Sequence, residues 1–521
     1  MSYMAYHYVV TLGRDASHDS TGPAFSAARA HVDGVMPMTD ETALSLAFNP
    51  DDYLCTWQIP DGEGRSVTIP GSLIVRANRP PEGVLHGDAP VQWTETASGK
   101  HSTGFPQTVH RDVVIGRLAN GAHVALADAT IEYWFPGQGR VTAASAVLSR
   151  VGVPDTDTPA YSRIEFQVQG LDAVAGVAPL KSMSWPNGKD TEHLQGTWSA
   201  DGNAQSSQEW TDESVTFRLE YDLSLRSMDP YCYSMGFSPV VRIEASQPLT
   251  VRQWVDDWVE PTRRIVSIAT GAAQDLTCLA VRPSAIDEER SHRGQVFGSG
   301  ITQAPYESRD DFVRKHKTAL YLHADEVSML ALVREWQHLT ALRHPLIETY
   351  GAMLTARDQH PRSRYLLLIQ ALEGLHGVET KDAYRESKME HSLKRDAVLA
   401  TVLDHLDSEG KKFLKTNFAR EPRVSLDDAL RGLVKGLPGD PMGKIARSAL
   451  IAEAMTDERK PDTTESALRV VRNNLAHGNR GYQAEDLYEV VKVLEHVVRA
   501  HALRVLGGGP KSLERLLTQN D

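Results

Sequence analysis

The hydrophobic pattern of this chain changes its period once, near residue 325, and this change limits the folds open to it. Before that point, short apolar runs such as HVALADATIEYWF and ESVTFRLEYDLSL lie between turn-forming residues, as expected of strands. After it, apolar residues recur every three or four positions, as in RSRYLLLIQALEGLHG, which is typical of amphipathic helices. The pattern predicts an α+β protein, with a β-rich, sandwich-like domain over residues 1–325 and an all-α helical bundle over residues 326–521.

Three details refine this prediction. The segment TVRQWVDDWVEPTRRIVSIAT spaces its large apolar residues as a helix does, so we expect a helical insertion among the strands. Eight of the nine tryptophans precede residue 326, and we expect most of them to pack in the core of the β-rich part. In the helical part, Gly377, Gly478 and Gly507 follow apolar periodic runs and are predicted to end helices.

Composition excludes several classes of protein. At 521 residues the chain exceeds the roughly 250–300 residues at which a single core stops growing, so at least two domains are expected. It has no apolar run long enough for a membrane span and no N-terminal pattern of a signal peptide. Its three cysteines are widely separated, which fits neither a disulfide framework nor a CxxC metal site. We therefore expect a cytoplasmic protein without membrane contact.

The net charge of −13 is distributed unevenly along the chain. Residues 1–325 contain 26 Lys and Arg against 40 Asp and Glu, whereas residues 326–521 contain 29 against 28. The acidity therefore belongs to the β-rich part. The helical part is nearly neutral, so its charge does not exclude a polyanionic ligand such as RNA.

The run TESALRVVRNNLAHG near the C-terminus gathers an arginine, two asparagines, a histidine and a glycine within seven residues. One interpretation is a polar helix end, where a cation gains about 0.3–1 kcal/mol from the helix dipole. The other is a catalytic site. Arg472 can hold a phosphate and offset its charge in the transition state, and His477 can move the proton of an RNA 2′-hydroxyl without a metal.

The spacing of these two residues limits how they can act together. On an ideal helix, five positions leave the two side chains about 140° apart, which is too divergent for one phosphate. Either the helix ends between them, or two copies of the motif meet across a two-fold axis.

The pattern Arg472-Asn473-xxx-His477 is similar to the Arg-polar-x-x-x-His motif of HEPN ribonucleases (higher eukaryotes and prokaryotes nucleotide-binding). The segment RYLLLIQALEGLHG, with Glu373 in its ALE element, resembles the first conserved helix of the ApeA-like HEPN branch. The stretch LCTWQIPDGEGRSVTIPGSLIVRANRPPEGVLHG resembles the start of the ApeA N-terminal domain. The resemblance extends over most of the chain, although only the six-residue motif is chemically specific.

This resemblance implies an anti-phage protein of abortive infection whose HEPN bundle cleaves RNA without a metal or other cofactor. His477 would be the general acid or base, Arg472 would stabilise the phosphate, Asn473 would order the site, and Glu373 would orient Arg472. Further RNA contacts would come from nearby polar residues, namely Arg469, Asn474, Asn479 and Arg480. The implied partners are an RNA, with a tRNA loop as the first candidate, a second copy of the chain or a higher oligomer, and a phage-derived trigger.

Two alternatives remain open at this stage. The helical bundle could bind RNA or a nucleotide without cleaving it, or the β-rich domain could be the functional part and recognise a phage protein or a glycan. The other motifs of the chain indicate neither a second catalytic site nor a cofactor site. His338 and His344 have neither the spacing nor the companion ligands of a metal site, and the Gly-rich runs lack the lysine or the preceding strand of a phosphate loop.

Overall fold

The computed structural model describes residues 44–518 of the chain, apart from several short gaps. These gaps are residues 61–65, 88–89, 91–93, 96–100, 103, 136, 152–158, 185–198, 230–231, 283–292, 357, 404 and 423–424. The chain from Thr42 to Asp521 forms one compact unit.

Seventeen strands precede residue 300 in the described part of the chain. They are β1 Asp52–Pro60, β2 Ser66–Ile74, β3 Glu82–His86, β4 Thr94–Glu95, β5 His101–Ser102, β6 Gln107–Leu118, β7 His123–Phe135, β8 Gln138–Thr142, β9 Ser145–Ser149, β10 Tyr161–Val168, β11 Leu180–Ser184, β12 Ser199–Gly202, β13 Gln208–Thr211, β14 Val215–Asp229, β15 Cys232–Leu249, β16 Leu276–Arg282 and β17 Gly294–Gly298.

Six of these strands close into a barrel. The order β7-β6-β1-β2-β3-β8 returns to its start because β7 pairs with both β6 and β8, and every pair is antiparallel. The indole of Trp57 is fully buried in it, and its ring N–H donates to the carbonyl of Val84 at 3.2 Å. A Cβ at Gly83 or Gly116 would lie only 2.8 Å from this indole, so these two positions accept no side chain.

The same sheet continues beyond the barrel as an open, antiparallel extension. From β7 it runs through β9, β17, β16, β10, β15 and β14 to β13, giving thirteen strands in all. These thirteen strands form one sheet that closes into a barrel at one end, in place of the two stacked sheets of a sandwich. The remaining strands form two small sheets, β4-β5 and β11-β12. The large sheet closes because β7, at thirteen residues, is long enough to pair with β6 along one edge and with both β8 and β9 along the other. Closure also removes the edge strands of that region.

Sixteen α-helices lie within the described residues. They are α1 Leu171–Ala175, α2 Val251–Trp254, α3 Glu260–Thr270, α4 Asp310–Lys315, α5 Leu322–Asp325, α6 Met329–Ala341, α7 Pro345–Thr355, α8 Pro361–Glu379, α9 Lys381–Leu403, α10 Ser408–Asn417, α11 Leu426–Val434, α12 Pro441–Ala446, α13 Ala449–Ala454, α14 Thr464–His477, α15 Ala484–Val505 and α16 Pro510–Thr518. A π-helical turn, Val255–Val259, joins α2 to α3 and completes the predicted helical insertion. None of the helices described is long and apolar enough to cross a membrane.

The predicted α+β architecture, β-rich first and helical second, is confirmed. Gly478 and Gly507 end helices with φ of 70° and 91°, whereas Gly377 lies inside α8, two residues before its end. Among the tryptophans of the β-rich part, Trp57, Trp254 and Trp258 are buried, and Trp134 is half exposed. Trp93, Trp185 and Trp198 lie outside the residues whose side chains are described.

One hydrophobic core extends from the open sheet through α3 into the helical part. At this junction the guanidinium of Arg499 on α15 is 6% exposed and donates to the carbonyls of Ile268 and Ala269, near the C-terminal end of α3. These carbonyls belong to the last turn of α3, where carbonyl groups have no partner within the helix and a cation is favoured by the dipole. A Cβ at Gly271 would lie 2.5 Å from the guanidinium, so the close approach requires glycine there.

We expect Arg499→Met to destabilise the protein strongly. The substitution keeps most of the side-chain volume but removes the donor to the buried carbonyl of Ile268, at about 1–3 kcal/mol. The carbonyl of Ala269 loses one of three donors, because it also accepts from the Ala319 N–H at 2.7 Å and the Thr318 hydroxyl at 3.1 Å. The urea midpoint of unfolding, followed by far-ultraviolet circular dichroism, should fall clearly. Arg314→Met is the matched control, because Arg314 is 78% exposed and, within the described part of the chain, pairs only with Asp310 on its own helix. An equal midpoint for the two variants would contradict this role for Arg499.

Candidate functional site

Helix α14 carries the Arg472–His477 motif and is well defined at both ends. Thr463 caps its N-terminus, with the side chains of Thr463 and Ser466 forming a reciprocal capping box. At the other end Gly478 adopts the left-handed conformation and its N–H donates to the carbonyl of Asn474. Because His477 is the last helical residue, the helix does not end between Arg472 and His477. Of the two arrangements left open by their spacing, a break in the helix is therefore excluded.

Three of the predicted site residues lie together. The guanidinium of Arg472 donates to the Asn473 side-chain oxygen at 3.1 Å and to a carboxylate oxygen of Glu373, on α8, at 3.4 Å. The side chains of Arg472 and Glu373 are 36% and 33% exposed, so the pair lies at the surface and is open to solvent. A guanidinium has five N–H donors, and these contacts leave several of them available for a phosphate.

The packing of α8 against α14 holds this arrangement in place. The hydroxyl of Tyr365, a fully buried residue of α8, donates to the carbonyl of Leu468 at 2.8 Å. Arg362, in the first turn of α8, donates to the carbonyl of Leu475 near the end of α14. Tyr365 lies in the predicted helix RSRYLLLIQALEGLHG, but its hydrogen bond to α14 has no signature in the sequence.

His477 is exposed at the C-terminal end of α14 and has no hydrogen-bond partner among the described residues. Since α14 is regular through this residue, the imidazole and the Arg472 guanidinium leave the helix about 140° apart. The structure therefore brings Arg472, Asn473 and Glu373 together, and within one chain it places His477 on a different side of the helix.

The other predicted RNA contacts have different surroundings. Asn474 is 3% exposed, and its amide donates to Asp457 at 3.2 Å and to the Tyr482 hydroxyl at 2.9 Å. It therefore holds the end of α14 against the following loop, and its burial does not favour direct contact with RNA. Asn479 is exposed and has no such role.

The two arginines among the predicted RNA contacts, Arg469 and Arg480, form ion pairs with carboxylates of neighbouring helices. Arg469 donates to Asp427 at 2.8 Å, and Arg480 donates to Glu453 at 2.6 Å. Asp427, Glu453 and Asp457 were not predicted from the sequence, because a lone carboxylate far away in the chain gives no local signal. Within the described residues, no group of three or more His, Cys, Asp or Glu side chains is placed to hold a metal ion.

Comparison with known families assigns both parts of the chain. Residues 52–336 match the sequence model of the ApeA N-terminal domain 1, and residues 366–510 match that of the Apea-like HEPN domain. No curated protein and no solved structure matches the chain. The second match contains Glu373 and the whole Arg472–His477 motif, and the first covers more than half of the 521 residues by itself. The chain therefore belongs to the ApeA-like HEPN family of anti-phage proteins.

Proposed function

We propose that this protein is a metal-independent endoribonuclease that acts in abortive infection by cleaving cellular RNA. The reaction is an in-line attack of a ribose 2′-oxygen on the adjacent phosphorus, which expels the 5′-oxygen and leaves 2′,3′-cyclic phosphate and 5′-hydroxyl ends. The observation that carries the proposal is the Arg472 guanidinium, oriented by Glu373 and Asn473 and open to solvent. It lies on the same helix as His477, which is exposed and has no hydrogen-bond partner among the residues that the structure describes.

Arg472 supplies the electrostatic part of this reaction. Negative charge grows on the phosphate oxygens as the 2′-oxygen attacks, and a guanidinium already held in position stabilises that charge without reorganisation. The 3.4 Å contact with Glu373 is long for a charged hydrogen bond, so the guanidinium can turn part of its donor set towards a phosphate while the carboxylate still orients it.

His477 supplies the proton transfer. It takes the proton of the 2′-hydroxyl or gives one to the leaving 5′-oxygen. Because it diverges from Arg472 on α14, the working pair consists of Arg472 of one chain and His477 of a second chain in a two-fold symmetric dimer. Symmetry then creates two equivalent sites. The N-terminal, β-rich part serves as the sensor of infection, and a tRNA loop is the first substrate to test.

We expect His477→Ala to reduce RNA cleavage by about 10²–10⁴-fold, because the variant has no side chain to transfer the proton. Cleavage in cells is measured by sequencing RNA ends after expression of the wild type and the variant. Cleavage by the purified proteins is measured in the presence of EDTA. The matched control is His338→Ala, since His338 is exposed on α6, away from the motif. Loss of wild-type cleavage in EDTA would overturn the metal-independent mechanism. RNA that is bound but never cut would favour a binding protein instead.

We expect Arg472→Ala to reduce the cleavage rate by about 10²–10³-fold, the range seen when a group that stabilises transition-state charge is removed. Glu373→Gln should reduce the cleavage rate less, by about tenfold, because it weakens only the orientation of Arg472. Single-turnover kinetics on a synthetic RNA measures both rates. Glu390→Gln is the matched control, as Glu390 pairs with Lys394 on the exposed helix α9. A Glu373→Gln enzyme with wild-type rate would remove Glu373 from the site.

Mixing two inactive variants tests the shared site. Co-expressed Arg472→Ala and His477→Ala chains form heterodimers in which one of the two sites receives both intact residues. With random pairing we expect about a quarter of wild-type activity. Purified single variants should remain inactive in the same assay. An inactive mixture, with heterodimers verified by differential tags, would show that each site lies within one chain.

A further inference from the structure

A cavity of about 390 Å³ lies in the β-rich part, away from the α14 motif. It is bounded by α1 and the turn after it, by β14 and β15, and by the start of α4. Its volume falls within the roughly 300–1,000 Å³ typical of small-molecule sites. No residue of the proposed nuclease site lines it.

The carboxyl group of Asp172 lines this cavity and is 3% exposed. It accepts hydrogen bonds from the Ser308 hydroxyl at 2.8 Å and from the Ala173 N–H at 2.9 Å. The Tyr306 hydroxyl lies 3.5 Å away and donates to the carbonyl of Val168 at 3.1 Å. Burial raises the pKa of this carboxyl, and no lysine or arginine of the described chain forms an ion pair with it. A carboxylate accepts about four hydrogen bonds, so with these two made it keeps capacity for two donors within the cavity.

The walls and the rim add two further properties. Most of the lining is apolar, and it includes the rings of Tyr221, Phe237 and Tyr321. At the rim, Arg309 is exposed, and its guanidinium has no hydrogen-bond or ion-pair partner among the described residues. The cavity therefore combines flat apolar walls, a buried acceptor and an unpaired cation at its opening.

We propose that this cavity binds a nucleotide, with its base between the apolar walls, the N–H donors of one base edge on Asp172 and its phosphate on Arg309. Among the bases, guanine fits this acceptor best. It presents two adjacent donors on one edge, whereas adenine presents a donor beside an acceptor, and an acceptor facing the carboxylate is repelled. This site is separate from the nuclease motif, and binding to it does not rest on the proposed function.

Calorimetric titration of the full-length protein with GMP, guanosine and AMP tests the proposal. GMP should bind with a Kd of about 10–100 μM, and both AMP and guanosine should bind about tenfold more weakly or worse. Arg309→Ala should weaken GMP until it equals guanosine, since only GMP has the phosphate. Lys315→Ala, an exposed residue of α4 outside the cavity, should leave all three affinities unchanged.

Two variants test the cavity independently: one changes its buried acceptor and the other fills its space. If one of them misfolds, the other still tests the proposal. Asp172→Asn replaces an acceptor oxygen by a donor and should weaken GMP by at least about tenfold. Val313→Phe places a ring in the cavity and should abolish binding while the melting temperature stays near that of wild type. The proposal is overturned if none of the three compounds binds at about 1 mM. It is equally overturned if GMP binds both folded variants as it binds wild type.

Discussion

The buried guanidinium of Arg499 is the contact on which the relation between the two parts of this protein depends. It lies on α15, in the helical part, and donates to the final carbonyls of α3, which packs on the open sheet. Helix ends expose carbonyl groups that need partners when they are buried. Here a partner comes from the helical part, so separating α15 from α3 would leave the Ile268 carbonyl without this donor, whereas the Ala269 carbonyl would keep the Ala319 N–H and the Thr318 hydroxyl.

Other arginines extend this junction in the same way. Arg515 of α16 donates to the carbonyl of Ala319 and to Asp325, and its guanidinium stacks on the ring of Tyr321. Arg264 of α3 donates to the carbonyl of Gly351 on α7. The helical part therefore forms a continuous core with the sheet. Tyr321 also lines the cavity of the β-rich part, so that cavity directly adjoins the junction.

The candidate site depends on the same packing. Helix α15 packs against α8, and α8 in turn fixes α14 through Tyr365 and Arg362 and presents Glu373 to Arg472. The chemically important groups sit at the solvent face of a tightly packed pair of helices. Such a scaffold orients the Arg472 guanidinium, as its proposed electrostatic role requires. It also makes the divergence of His477 a fixed property of α14, since a regular helix cannot bring positions five apart to one point.

Much of the site was predictable because its signals are local. The motif Arg472-Asn473-xxx-His477, the apolar stripe of α14 and the glycine that ends it all lie within fifteen consecutive residues. Gly377 shows the limit of such reasoning. It resembles a helix end, but α8 continues past it to Glu379, since glycine lowers helix stability by only about 1 kcal/mol relative to alanine.

The sequence by itself determined the order of a β-rich and a helical part, the helical insertion at α2 and α3, and the helix that carries the motif. These features follow from hydrophobic periodicity, which acts between neighbours along the chain. Only the tertiary structure decided that the strands close into a barrel, that Asn474 is buried, and that Asp427 and Glu453 engage two arginines of the C-terminal region. Such contacts join residues far apart in the chain, and a single sequence carries no local pattern that pairs them.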